Sequence, residues 1–205
     1  MPLAPLIHPE DAAVEALVAY FTSAVPSLSG VLSSYPEHAV RLDLAAGPVL
    51  SLSSVEGPRE PHPPEELPDL TTGAGTGTLT VYYKVATQTI TIQADLWCAY
   101  KEIRNEVGQL VEEAMDNSAP FGTGIRVTMP RYYDLNLTGR SSSPGSNVDA
   151  DTTQSAPRGE WAKRWTLTCE VPIVKARTWP EFVDGRLRTV MGGDAGLLPE
   201  RMVAP

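Results

Sequence analysis

A chain of 205 residues with 42% hydrophobic and 20% charged residues is long enough to bury one core and too apolar to stay disordered, while 19 prolines and 16 glycines predict long irregular connections. The formal charge of -9 and a pI near 4.8 oppose condensation onto a nucleic-acid backbone, because a Lys/Arg surface is the source of non-specific affinity. No stretch approaches the roughly 18 apolar residues of a membrane-spanning helix, and the opening MPLAPLIHPEDAAVEALVAYF lacks the basic region, apolar run and cleavage site of a secretory leader.

The first predicted element is a helix over about residues 9–24. Pro9, Glu10 and Asp11 suit a helix start, where a missing N–H costs nothing and the dipole favours acids, and Val14, Leu17, Val18 and Phe21 form one apolar stripe. After Pro26 and Gly30, the alternation of Val40, Leu42 and Leu44, then Gly47-Pro48, then Leu50 and Leu52 predicts a hairpin. Residues 57–77 carry Pro58, Pro61, Pro63, Pro64 and Pro68 before a glycine run, which predicts a long exposed loop within one domain.

From Leu79 the alternation is long enough for two strands or one bent strand. Ile90, Ile92, Ala94 and Leu96 face one side, and Thr89, Thr91, Gln93 and Asp95 face the other. A second helix follows at once, with Tyr100, Ile103, Val107, Leu110, Val111 and Ala114 as its apolar stripe. Lys101, Glu102, Arg104, Asn105, Glu106 and Glu112 take the opposite face, Asp95 or a near neighbour caps it, and Asp116-Asn117 end it.

Beyond Gly124, IRVTMPRYYDLNLTG predicts a strand interrupted at Pro130 by a bulge or an edge position. Residues 139–159 are polar and small, without a hydrophobic period, and predict a second long loop. Trp165, Leu167, Cys169 and Val171 then alternate with Thr166, Thr168 and Glu170 in a final strand. The organisation expected is a single domain over residues 1–180 and a weakly ordered tail over 181–205.

Chemistry-bearing patterns are weak. GAGTG follows a proline-rich segment and feeds a strand, without the Lys-Ser/Thr pair of a phosphate loop, so it reads as a flexible connection. His8, His38 and His62 are scattered, and neither Cys98 nor Cys169 has a ligand neighbour at metal spacing; the cysteines read as structural thiols of a reducing compartment. Glu112, Glu113 and Asp116 read as a solvated helix face, and Asp149 and Asp151 lack the remainder of a calcium loop. No GxSxG occurs, so no catalytic residues and no cofactor are expected. Trp97, Tyr100, Tyr132, Tyr133, Trp161, Trp165 and Trp179 suit a sugar- or base-stacking module, but without a basic stripe packing explains them better.

The run YKVATQTITIQADLWCAYKEIRNEVGQLVEEAM, followed by a Tyr-rich strand, a polar loop and GEWAKRWTLTCEV, resembles the tail terminator and tail-completion (neck) proteins of long-tailed bacteriophages. The likeness lies in the order helix, hairpin, strand ending in Q-x-D-x-W, immediate amphipathic helix, Tyr-Asp strand and W-x-x-x-W strand, and covers residues 83–171.

That resemblance implies an α/β (α+β) domain with a small mixed or antiparallel sheet and two main helices on one face. It also implies a homo-oligomeric, hexameric ring that caps the tail tube, with the sheath terminus as a candidate further partner, and meets a head-side connector. The location expected is the virion, after assembly in the host cytoplasm, with DNA passing the lumen without specific binding and with no membrane partner. The subunit contacts expected are Thr89, Thr91 and Gln93 on the open sheet face and Arg126, Arg131 and Arg140 near the later strand, set against the plainer reading of solvated sheet residues. Another neck or baseplate component, or a monomeric carbohydrate-binding module, is the alternative.

Overall fold

In the computed structural model, the structure describes residues 7–34, 42–73, 78–117, 124–141, 146–148 and 161–180. It is a mixed α+β protein with a seven-stranded sheet and two helices. The elements are α1 (Pro9–Ala24), β1 (Gly30–Leu32), β2 (Val49–Glu66), a 3-10 turn (Pro68–Leu70), β3 (Thr78–Cys98), α2 (Lys101–Asn117), β4 (Ile125–Met129), β5 (Leu135–Ser141), β6 (Ser146–Val148) and β7 (Trp161–Pro180). The strand order is β1-β2-β3-β7-β5-β4, with β6 paired to β7. The sheet is mixed: β1 runs parallel to β2, whereas β4 with β5 and β5 with β7 are antiparallel.

Composition predicts one core, but the chain divides into two compact units, Met1–Pro63 with Val85–Ile173 and Pro64–Lys84 with Val174–Pro205. At 18, 21 and 20 residues, β2, β3 and β7 are each several times a usual strand of about 5–6 residues, and all three contribute residues to both units. In the second unit the Leu67 N–H donates to the Tyr82 carbonyl, Thr72 bridges Thr80, and the Thr80 and Thr178 hydroxyls lie 3.2 Å apart.

Several expectations need correction. Residues 57–66 are not loop but the outer half of β2. Proline breaks a strand where its missing N–H faces a partner, yet β1 pairs only with Val49–Ser51, so beyond Ser51 one side of β2 has no partner among the described residues. A proline on that side removes no ladder bond. The hairpin expected around Gly47-Pro48 is also absent: Val40 lies outside the described residues, Leu42 and Leu44 are not in a strand, and β2 pairs instead with β1 in parallel, which needs a crossover rather than a tight turn.

The strand thought to be interrupted at Pro130 is a hairpin. Pro130–Asp134 turns between β4 and β5, with Tyr133 at φ 57° and Asp134 at φ 52° supplying the left-handed backbone that reverses the chain. Parts of the expected 139–159 loop belong to β5 and β6, while 142–145, 149–160 and the tail over 181–205 lie outside the described residues.

Helix α1 forms as expected, with Pro9 in its first turn and Val14, Leu17 and Phe21 buried, joined by Ala12, Ala13 and Ala16. In α2 the buried arc is rotated from the expected stripe. Val107, Val111, Ala114 and Met115 are buried together with Arg104, whereas Leu110 and Tyr100 are exposed. Hydrophobicity alone placed the arc; the tertiary contact shifts it toward Gly108, where an added Cβ would come 3.0 Å from the Lys163 side chain. Asp95 does not cap α2, because its carboxylate is engaged on the sheet.

Both helices contact β4 and each other, and the Tyr20 hydroxyl of α1 donates to the Ala114 carbonyl of α2 at 2.5 Å. Ser54 of β2 donates to Glu10 of α1, also at 2.5 Å. Fully buried Leu17, Phe21, Leu50, Leu52, Ile90, Ile92, Leu96, Ile125, Met129, Leu137, Trp165 and Leu167 make up the apolar core.

Candidate functional site: the polar face of the sheet

The alternation in β3 sorts its side chains as the period of two requires. Ala86, Gln88, Ile90, Ile92, Ala94, Leu96 and Cys98 are buried, while Thr87, Thr89, Thr91, Gln93 and Trp97 between them are partly exposed. The register carries the same polar face across the neighbouring strands. Arg126 of β4 lies opposite Thr138 of β5, Thr138 opposite Glu170 of β7, Arg140 opposite Thr168, and Thr128 opposite Asn136. Ile125, Leu137, Cys169 and Val171 fall on the buried side of the same strands.

A bonded network ties this face together. The Arg164 guanidinium of β7 donates to both carboxylate oxygens of Asp95 in β3, at 2.6 and 3.3 Å, and the Gln93 amide donates to the same carboxylate at 2.6 Å. The Trp97 indole donates to the Ser51 hydroxyl of β2 at 3.0 Å, which in turn donates to the Asp95 carbonyl at 3.4 Å. Asp95 is 1% exposed, so a carboxylate there needs these charged and polar donors; the two-pronged arginine supplies the strongest of them. Three strands are thus cross-linked by side chains on the side away from the apolar core.

Five of the six expected contact residues fall on this face: Thr89, Thr91 and Gln93 are half-buried, and Arg126 and Arg140 are exposed. Arg131 does not join them. It sits in the β4–β5 turn and donates to Glu15 of α1 at 2.9 Å, an ion pair with both side chains about half exposed, of a kind that adds little stability. Beside Thr89 stands Gly57 of β2, where any Cβ would lie 2.5 Å from the Thr89 carbonyl oxygen, so only glycine permits the approach. Sequence reasoning missed Ser51, Trp97 and Arg164; the available signal was Asp95 itself, the one acid of a strand whose only other charged residue is Lys84.

On the opposite side of β7, Lys163 donates to Glu112 of α2 at 2.8 Å and the Trp165 indole donates to the same carboxylate at 3.1 Å, with the Lys163 ammonium 5.3 Å from the Trp165 ring centre. Glu112 was expected on a solvated face; these two donors instead make it a link between helix and sheet. A recess of about 420 Å³ opens beside it, lined by Gln109, Glu112, Glu113 and Asp116. Among the described residues no group of three or more His, Cys, Asp or Glu is disposed to hold a metal ion. His8 is exposed, the His62 ring lies 3.5 Å from the Thr87 hydroxyl, and His38, Asp149 and Asp151 lie outside the described residues. Of the aromatics singled out, Trp165 and Tyr132 are buried, Tyr132 stacks edge-on with Tyr133, Tyr100 and Trp179 are exposed, and the Trp161 side chain lies outside the described residues.

Both cysteines are free and buried. Burial pushes the Cys98 thiol from its ordinary 9.0 up to about 11, partly countered by the Arg104 charge, and pushes Cys169 up to about 12. The folded chain therefore holds two protons that the unfolded chain releases near 9.0. The stability this contributes is complete below pH 9.0 and is lost as pH rises through 11 and 12. At pH 8 a thiol-reactive reagent is expected to label neither cysteine in the folded protein and both in denaturant; labelling of the folded chain at the unfolded rate would contradict this burial.

The sequence matches no protein-family model and no curated protein.

Proposed function

We propose that this chain is a virion structural protein, a tail terminator that forms a ring at the end of a phage tail tube and joins it to the head-side connector. The observation that carries the reading is the two-sided sheet. Its apolar side is packed under helices, and its other side is a cross-linked surface of threonine, glutamine and arginine. Ser54 and Trp165, which bond α1 and α2, share the side of Leu52 and Leu167, so both helices belong to one face of the sheet. The strand β3, the helix α2 directly after it and the final strand β7 are compatible with the resemblance described above, whereas its Tyr-Asp segment is the β4–β5 turn.

A rigid, uncharged-to-basic sheet face suits assembly rather than catalysis, because side chains locked by hydrogen bonds lose little freedom on contact. In a ring, Thr89, Thr91 and Gln93 face a neighbouring copy or the lumen. The -9 charge of each copy disfavours retention of DNA in that lumen.

The purified chain, mixed with tail tubes and viewed by electron microscopy, is expected to sit as a ring on tube ends. A chain that ignores tube ends and stays a monomer while binding a sugar tightly would sink the proposal and favour a ligand-binding module.

A further inference from the structure

The ring reading leaves open which surface of one copy meets the next, and on that reading the first unit supplies two that match. On the polar sheet face, Arg126 and Arg140 are exposed among Thr128, Asn136, Thr138 and Thr168, with Glu170 the single acid in those rows. On the outer side of α2, Glu102, Glu106 and Glu113 are exposed, and Leu110, one turn from both Glu106 and Glu113, is 40% exposed. Leu110 thus gives this helix face an apolar point with a carboxylate one turn away on either side.

We infer that the acidic outer face of α2, centred on Leu110, docks on the Arg126–Arg140 side of the polar sheet face of a second copy of this chain. Charge selects the occupant. Two copies at -9 repel as wholes, so close contact requires a local match, and an arginine pair facing a line of glutamates provides one. The two surfaces are different patches of one molecule, so the contact is head-to-tail. Such a contact propagates from copy to copy and closes into a ring when the rotation between copies permits. Thr138, opposite Arg126, and Thr168, opposite Arg140, flank the arginines with uncharged surface on which Leu110 can rest.

The test uses the full chain in two variants, Arg126→Glu with Arg140→Glu, and Glu106→Lys with Glu113→Lys. All four positions are exposed, and the denaturant midpoint of each variant, measured alongside, checks that its fold is kept. By mass in solution the wild type is expected to self-associate, and each variant alone to fall to single-copy mass, with association weakened by about 100-fold or more. An equimolar mixture of the two should assemble again, because each reversed surface then finds its complement. Assembly of either variant like the wild type, or a mixture that stays at single-copy mass, overturns the interface. A wild type at single-copy mass at every concentration overturns it as well. The tail reading fails on a different result, the absence of binding to tube ends, so the two are distinguished.

Discussion

Trp165→Ala should lower the unfolding free energy by about 3–5 kcal/mol, read from the urea midpoint at unchanged m-value. The side chain is among the largest fully buried groups of the described residues and bonds α2 from β7, so its removal leaves a cavity between helix and sheet. The same substitution strips one donor from Glu112, although Lys163 remains bonded to it at 2.8 Å. Trp165→Phe separates the two effects. It keeps most of the apolar volume and loses the indole N–H, and should cost about 1–2 kcal/mol. Against a total stability of about 5–15 kcal/mol the alanine variant loses a large share, and a loss below about 1 kcal/mol would mean that the helix–sheet packing described here is wrong.

The second large effect is an asymmetry within one ion pair. Asp95 is 1% exposed and the Arg164 side chain 35% exposed, so the two partners differ in what each does when abandoned. In Arg164→Met the carboxylate is stranded in the sheet with only Gln93 as a side-chain donor, and the expected cost is about 3–4 kcal/mol, near that of breaking a buried pair. In Asp95→Asn the guanidinium reaches water and an amide oxygen still accepts from it, so the cost should be nearer 2 kcal/mol. The double variant is expected to lose at least 1 kcal/mol less than the sum of the singles, roughly the coupling of two groups in direct contact. Equal single effects with strict additivity would show that the pair does not act as a unit.

The same bonds stiffen the polar face. Arg164 and Asp95 join β7 to β3, Trp97 and Ser51 join β3 to β2, and all of these bonds lie on the side away from the apolar core. The threonines between them are therefore carried on strands pinned from both sides, by packing below and by hydrogen bonds above.

Some of this was written in local pattern. The alternation from Ile90 to Leu96 is enough to sort core-facing residues from those on the opposite face, because a strand turns successive side chains to opposite faces wherever it is placed. Pro9, Glu10, Asp11 and the Val14, Leu17 and Phe21 stripe likewise define α1 without help from the remainder of the chain. Tertiary structure alone decided the rest. Arg164 and Asp95 are 69 residues apart, and no spacing connects them. The prolines of β2 argued for loop until the sheet order left that strand with an open side, and the buried arc of α2 turned toward Arg104 and Met115 because of what lies beneath it. Periodicity is a property of a segment and survives in sequence; strand neighbours, edges and the pairing of distant charges are properties of the closed chain, set only when entropy has been lost to bring far residues together.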